Sequence, residues 1–268
     1  MIRRLLADYG EVISTPLPEN TITDLAALAS QPRVTFLDRY WHHRPAYDLG
    51  QPPAQYWSQV LDRDLSGAPR VVDRLTNIDV HGWLRLNPLT LRTLLGHARR
   101  TGARLALLSN APEPLARAID HSRWSRHFDH RYYSCRLGAA KPDPQAFQLV
   151  LSDLGAQPDE LLFIDDRAEN TRTARDLGMH TITFASASAL DRGFLEGTGL
   201  DLIPPGNPTI EDRLAKPPDL KLRPRDRAPP LTQTARKISR RRPSIFVSPV
   251  RRSCEGARKA RPVRQEVV

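Results

Sequence analysis

Short apolar runs alternate with amphipathic stretches along much of the chain, and glycine or proline punctuates the joins. Five runs are apolar, short and bounded by turn or polar residues, which predicts strands over 4–8, 104–109, 129–133, 161–165 and 180–184. Between them, helical spacing predicts helices over 89–101, 112–121, 144–154 and 168–177. Gly102, Gly155 and Gly178 stand where C-terminal caps would fall, and Pro112 and Pro144 suit first turns. Strands and helices in this alternation predict an α/β fold, a doubly wound Rossmann-like parallel sheet.

Residues 14–87 break the rhythm. They hold few strand-like runs and many aromatics, among them Tyr40, Trp41, Tyr47, Tyr56, Trp57 and Trp83. A small α-helical cap inserted after the first strand accounts for this, with the aromatics as its own core and a pocket-lining role as the other reading for Trp41 or Tyr47. The expected division is therefore a core of 1–13 and 88–203, a helical cap of 14–87, and a tail of 204–268.

Charge sharpens the last boundary. Residues 1–203 carry 23 Lys plus Arg against 24 Asp plus Glu, whereas 204–268 carry 17 against 6, so the net charge of +10 belongs to the tail. With 11 prolines in those 65 residues and little apolar periodicity, the tail is expected to be disordered. Its charge would suit nucleic acid or an anionic surface, but it lacks the aromatic pattern of single-strand binders, and a plain solvated extension is the other reading. No run approaches the roughly 18 apolar residues of a membrane span, and a cytoplasmic protein with no membrane partner is expected. Cys135 and Cys254 lie far apart outside any C-x-x-C pair, which argues against zinc and a disulfide framework and leaves Cys135 as a core thiol. Oligomeric state is not readable.

In an open parallel sheet, ligands bind outside the carboxyl ends of the strands. Here those ends carry a coherent set: Asp8 after the first strand, Ser109 and Asn110 after the second, and Asp165 with Asp166 after the fourth. Lys141 follows the third strand in Gly-Ala-Ala-Lys-Pro-Asp-Pro. Three carboxylates in one cleft repel one another unless a divalent cation or raised pKa values relieve them, and hard oxygen ligands point to Mg²⁺. Lys141 is the only lysine before residue 204, where 22 arginines fill the other basic positions, so a compact ammonium is required at that place.

These four segments, in this order, resemble the four motifs of the haloacid dehalogenase-like (HAD) hydrolases, over about residues 1 to 200. The stretch Trp41-His42-His43-Arg44-Pro45-Ala46-Tyr47-Asp48-Leu49-Gly50 is similar to a cap segment of sugar-phosphatase-like and dehalogenase-like members. The resemblance implies Asp8 as nucleophile, forming an aspartyl-phosphate, and Ser109 with Asn110 as the second motif. It implies Lys141 as the residue that orients Asp8, and Asp8, the Gly10 carbonyl, Asp165 and Asp166 as magnesium ligands. The implied activity is phosphatase action on a small phosphorylated metabolite. Metal-free 2-haloacid dehalogenation is one alternative, and a catalytically weakened binding protein with a basic tail is another.

One departure from the family pattern stands out. Where phosphatases of this family carry an acid two residues after the nucleophile, this chain has Gly10. Glu11 is adjacent, but on an extended segment it would face the opposite way. Arg44 either binds a substrate anion or pairs with Asp48 across one helical turn. Asn170 reads as a helix-surface residue, with a ligand role at the site as the other reading.

Overall fold

The computed structural model describes residues 2–198. The expectations for the tail and for Cys254 fall outside these residues. Parallel strands β1 (Arg4–Ala7), β2 (Arg104–Ser109), β3 (His130–Tyr133), β4 (Leu161–Asp165) and β5 (His180–Thr183) form one sheet in the order β3-β2-β1-β4-β5. The predicted strands stand, trimmed by one residue in β1, β3 and β5.

Both faces of this sheet are buried, which is why its strands read as continuous apolar runs rather than as alternations. Leu5, Ala7, Leu105, Leu107, Leu162 and Ile164 join one hydrophobic cluster, and Leu6, Ala106, Leu108, Leu161 and Phe163 join the other. The chain winds outward from β1 through β2 to β3, then returns past β1 to β4 and β5. The reversal puts a crevice between the carboxyl ends of β1 and β4.

The helices begin and end where local chemistry directs. In α5 (Pro88–Thr101) the Asn87 side chain accepts from Thr90 N, Pro88 opens the first turn, and Gly102 closes the helix at φ 72. In α8 (Pro144–Leu154) Asp143 accepts from Gln145 N and Gly155 closes it at φ 55. Helices α6 (Glu113–Asp120) and α9 (Ala168–Asp176) lie near their predicted positions, whereas α7 (Ser134–Leu137) and α10 (Ala187–Thr198) were not foreseen.

Between β1 and α5 the chain builds α1 (Glu19–Ala29), α2 (Arg33–Asp48), α3 (Pro53–Leu61) and α4 (Pro69–Trp83). The neck of this insert is tied by Thr15 N to Arg85 O at 2.7 Å and Asn87 N to Ile13 O at 2.7 Å. Its interior is aromatic, with Phe36, Tyr40, Tyr47, Tyr56 and Trp57 all at 0% exposure. A polar knot fastens α2 to α4: the Tyr40 hydroxyl donates to Asp79 and accepts from Arg44 and from Trp83 Nε1. Two expected core aromatics differ. Trp83 joins the cluster on the sheet, and Trp41 is 46% exposed. Cys135 is half-buried with its Sγ 3.6 Å from Glu113 Oε2, so it is not the core thiol expected.

Helices α1 and α4 meet at Gly82, where an added Cβ would come within 2.6 Å of Thr21 Cγ2 and 2.7 Å of Leu17 Cδ1. Alanine improves helix propensity by about 1 kcal/mol, but overpacking costs about 1–3 kcal/mol. Gly82→Ala should therefore lower the unfolding free energy by up to about 2 kcal/mol, read by urea denaturation. An unchanged or raised midpoint would show that Thr21 moves aside without penalty.

Candidate active site

The strand ends converge. Asp8 directly follows β1, and its N–H extends the ladder by donating to Ile164 O at 2.8 Å. Asp8 Oδ1 accepts from Tyr9 N at 2.6 Å and meets Lys141 Nζ at 2.9 Å. Oδ2 has no hydrogen bond among the described residues, so one oxygen is tethered and the other is left free. Lys141, 4% exposed, divides its three protons among Asp8 Oδ1, Asp165 Oδ2 at 2.7 Å and Leu108 O at 2.8 Å. That set saturates an ammonium.

The acidic pair after β4 splits in two. Asp165 is fully buried, and its Oδ1 accepts from Arg167 N at 2.9 Å and Asn170 Nδ2 at 2.8 Å while Oδ2 holds Lys141. Asp166 is half-buried on the cleft wall. Ligand oxygens of Asp8, Asp165 and Asp166 all lie within 4.8 Å of one another.

Burial and mutual repulsion govern these carboxylates. Desolvation is the largest influence on Asp8 and raises its pKa well above the ordinary range; Lys141 opposes the rise, and Asp165 and Asp166 add to it. Asp166 is pushed up to about 6, first by burial and then by Asp165. Burial works against a charged Lys141, yet Asp8 and Asp165 outweigh it and hold its pKa above the usual value. One ammonium thus faces three carboxylates, and the cluster is short of positive charge.

Ser109 ends β2 and is 2% exposed; its hydroxyl has no hydrogen bond among the described residues and opens on the cleft. Asn110 is engaged elsewhere: its Nδ2 donates to Lys141 O at 2.7 Å and its Oδ1 accepts from Lys141 N at 2.9 Å. Its amide therefore clamps the main chain that delivers Lys141. Gly10 lies on the cleft, and a Cβ there would find nothing nearer than Trp83 Cζ3 at 3.9 Å.

Three further placements depart from sequence reasoning or settle it. Glu11 is not on an extended segment: it has φ 56 in a tight turn closed by Ile13 N to Tyr9 O, and it lines the cleft. Asn170 is 1% exposed rather than on the helix surface, because the first turn of α9 faces Asp165. Arg44 lines the cleft from the insert, and the one-turn pairing is present, with Nε 2.7 Å from Asp48 Oδ1 and Nη1 3.7 Å from Asp79 Oδ1. The cleft between sheet and insert has a volume of about 670 Å³.

A free carboxylate oxygen, a buried lysine and an acid cluster thus meet at the switch point of a doubly wound sheet. Residues 13–178 match the family model of haloacid dehalogenase-like hydrolases. The chain belongs to that family. The match starts five residues past Asp8, so the position of Asp8 in this HAD-like hydrolase rests on the geometry above.

Among curated relatives, bifunctional epoxide hydrolase 2 of Sus scrofa is 43% identical over 77 residues, covering 29% of this chain and 14% of that protein. A phosphatase of Mycobacterium tuberculosis is 33% identical over 135 residues, covering 48% of this chain and 59% of that protein. The HAD-like hydrolase thus matches less than two thirds of the length of each of these relatives. Among solved structures, a HAD family enzyme from Bacteroides thetaiotaomicron in complex with magnesium and inorganic phosphate aligns with TM-score 0.55 and 25% identity, covering 68% of this chain and 94% of that one.

The raised pKa values carry a stability consequence. An unfolded aspartate ionises near 4, whereas Asp166 ionises near about 6 in the fold and Asp8 is shifted in the same direction. Between those values the folded state holds more protons, so this contribution is complete below the unfolded pKa and is lost as pH rises through the folded one. Asp8→Asn removes one repelling charge while keeping an acceptor for Tyr9 N and Lys141. In chelator at pH 8 its Tm should exceed the wild-type value by several degrees, at roughly 2–4 °C per kcal/mol. A lower Tm would mean that the Lys141 attraction outweighs desolvation.

Proposed function

We propose that the protein is a magnesium-dependent phosphatase of a small phosphate ester, acting through an aspartyl-phosphate on Asp8. The observation that carries this reading is the charge deficit: three carboxylates within 4.8 Å of one another, with a single saturated ammonium beside them. The relative described as a phosphatase and the structural neighbour holding magnesium and phosphate support it.

The donor set suits magnesium, because carboxylate and carbonyl oxygens are hard ligands and Mg²⁺ binds through one or two carboxylates plus phosphate oxygens. Asp8, Asp166 and the Gly10 carbonyl would hold the ion; Asp165, which the resemblance also names as a ligand, has both oxygens engaged by Lys141, Arg167 N and Asn170 and would act through them instead. Bound there, it would supply positive charge to the phosphoryl oxygens.

The chain's own residues do the rest. Asp8 Oδ2 attacks phosphorus, and the ester P–O bond breaks with its electron pair going to the departing oxygen. Water then attacks the phosphorus of the aspartyl-phosphate, which frees the carboxylate and releases inorganic phosphate; the proton lost by water balances the one gained by the alcohol. Lys141 keeps Asp8 oriented through Oδ1, and Asp165 keeps Lys141 in place. Ser109 offers a hydroxyl to a phosphoryl oxygen, and Asn110 fixes the Lys141 main chain.

Metal-free dehalogenation has no observation of its own in the cleft, since it leaves the acid cluster unbalanced. A binding-only protein is separated from an enzyme by trapping phosphate on Asp8.

Phosphate release should require Mg²⁺, cease in chelator, and vanish in Asp8→Asn. Lys141→Arg should lose about a hundredfold or more, since a planar fork cannot reproduce three tetrahedral donor directions and small misplacements at reacting groups have that effect. Full activity in chelator would sink the metal, and full activity in Lys141→Arg would sink the orienting role.

Gly10 generates a separate expectation. Without an acid at that position the departing oxygen carries its charge unaided, and general acid catalysis is worth about 10²- to 10⁴-fold. Rates should therefore fall steeply as leaving-group pKa rises. Because a Cβ fits at Gly10, Gly10→Asp should flatten that dependence. A flat dependence already in the wild type would mean that another group, with Glu11 first in line, donates the proton; Glu11→Gln would then steepen it.

A further inference from the structure

The insert's wall of the cleft is unlike the acidic wall opposite it. Trp41 and Leu49 are each 46% exposed, and both line the cleft together with Pro45 and Trp83. Scattered exposed apolar residues are ordinary, but a tryptophan and a leucine left open on the same wall of a functional cleft make a surface awaiting cover. The Trp41 ring is also held in place. Tyr40 meets it edge-on at 4.9 Å and 90°, and Trp83 at 6.3 Å and 83°. A fixed ring loses little conformational freedom when it stacks on a ligand.

Charge on this wall is already answered. Arg44 is matched by Asp48 at 2.7 Å and lies 3.7 Å from Asp79, so it offers no unbalanced cation to a second anionic group. Hydroxyl-recognising groups are scarce too, for among the lining residues contributed by the insert only Asp48 carries a side-chain oxygen. A polyhydroxylated or doubly anionic leaving group would bury polar atoms there with few partners.

A second, independent observation points the same way. Gly10 itself supplies no acid to the departing oxygen, which favours a group stable as its anion. A phenolate meets that requirement, and its flat apolar ring meets the requirement of the wall. We propose that the substrate class is aryl phosphate monoesters, in which phosphate sits on a phenolic oxygen of a planar ring, and that Trp41 is the residue that selects the ring. The proposal rests on the phosphatase reading above. Attack by Asp8 on phosphorus breaks the P–O bond, and the phenolate departs with the electron pair and takes its proton from solvent.

Binding and turnover are measured on the full chain with Mg²⁺. Non-hydrolysable 2-naphthylphosphonate separates ring recognition from leaving-group chemistry, with cyclohexylphosphonate and methylphosphonate as controls, in titration calorimetry. The naphthyl compound should bind about tenfold or more tighter than the cyclohexyl one, in line with the worth of aromatic stacking. Trp41→Ala should collapse that ratio to near one, whereas Trp41→Phe, which keeps a flat ring, should retain most of it; Leu49→Ala should lower it less. Equal binding of the two ring compounds by the wild type, or an undiminished ratio in Trp41→Ala, overturns the proposal. Acetyl phosphate, which has no ring and a good leaving group, tests the underlying reading. If it phosphorylates Asp8 while the naphthyl preference is absent, ring selection alone fails; if it neither phosphorylates Asp8 nor is hydrolysed, the phosphatase reading fails and this proposal with it.

Discussion

The Lys141 ammonium is the interaction on which the rest of the site depends. It is buried among carboxylates, and its three protons reach Asp8, Asp165 and the Leu108 carbonyl. Each acceptor belongs to a different strand or its end, so the contact welds β1, β2 and β4 at their carboxyl termini. Removing the ammonium itself would leave the buried carboxylates without their partner, and stripping one member from a buried ion pair typically costs about 3–5 kcal/mol. The surrounding chain is built to hold it: Asn110 grips the Lys141 main chain on both sides, and Asn170 with Arg167 N fixes the far oxygen of Asp165.

The opposite wall is set by a different device. The Ser134 hydroxyl donates to the carbonyl of Asp48 at the end of α2 and accepts from Ala111 N at 3.0 Å, linking the insert to the loops that follow β2 and β3. Next to it, Gly50 at φ 101 lies so close to Cys135 that a Cβ would be 3.4 Å from its carbonyl oxygen. Glycine is favoured there by the left-handed backbone. Trp41, Arg44 and Asp48 are all on the helix so anchored, which is why their distance from Asp8 is a property of the fold rather than of loose side chains.

Much of this was legible in the chain. Fully buried parallel strands announce themselves as short apolar runs, and polar residues at their ends fall at one edge of the sheet, so the pattern of the chain alone gathers Asp8, Ser109, Lys141 and the aspartate pair. The scarcity of lysine was an independent signal for Lys141. Three things were not legible. The turn at residues 9–13 depends on hydrogen bonds closing over Glu11, and a strand-like reading of that segment put its side chain on the wrong side. Asn170 carries no mark in one dimension that separates the buried face of α9 from its surface, because that helix is polar almost throughout. That Trp41 rather than Tyr47 opens on the cleft depends on where α2 lies over it, which local periodicity does not encode.

Both walls of the cleft are left incomplete by the chain itself, each in its own physical currency. On the sheet side, a second buried cation would relieve the carboxylates but would fill the space that the proposed phosphoryl group and ion require; the chain leaves the deficit in place, and raised pKa values are its signature. On the insert side, burying Trp41 and Leu49 against neighbours would gain hydrophobic stability of the order of 25 cal/mol for each Å² covered, yet they are left open. Arg44 shows that the insert can balance a buried charge when one is not wanted, since Asp48 and Asp79 surround it. An electrostatic vacancy facing a hydrophobic one is the complement of a ligand whose charge is confined to one end and whose other end is flat and apolar.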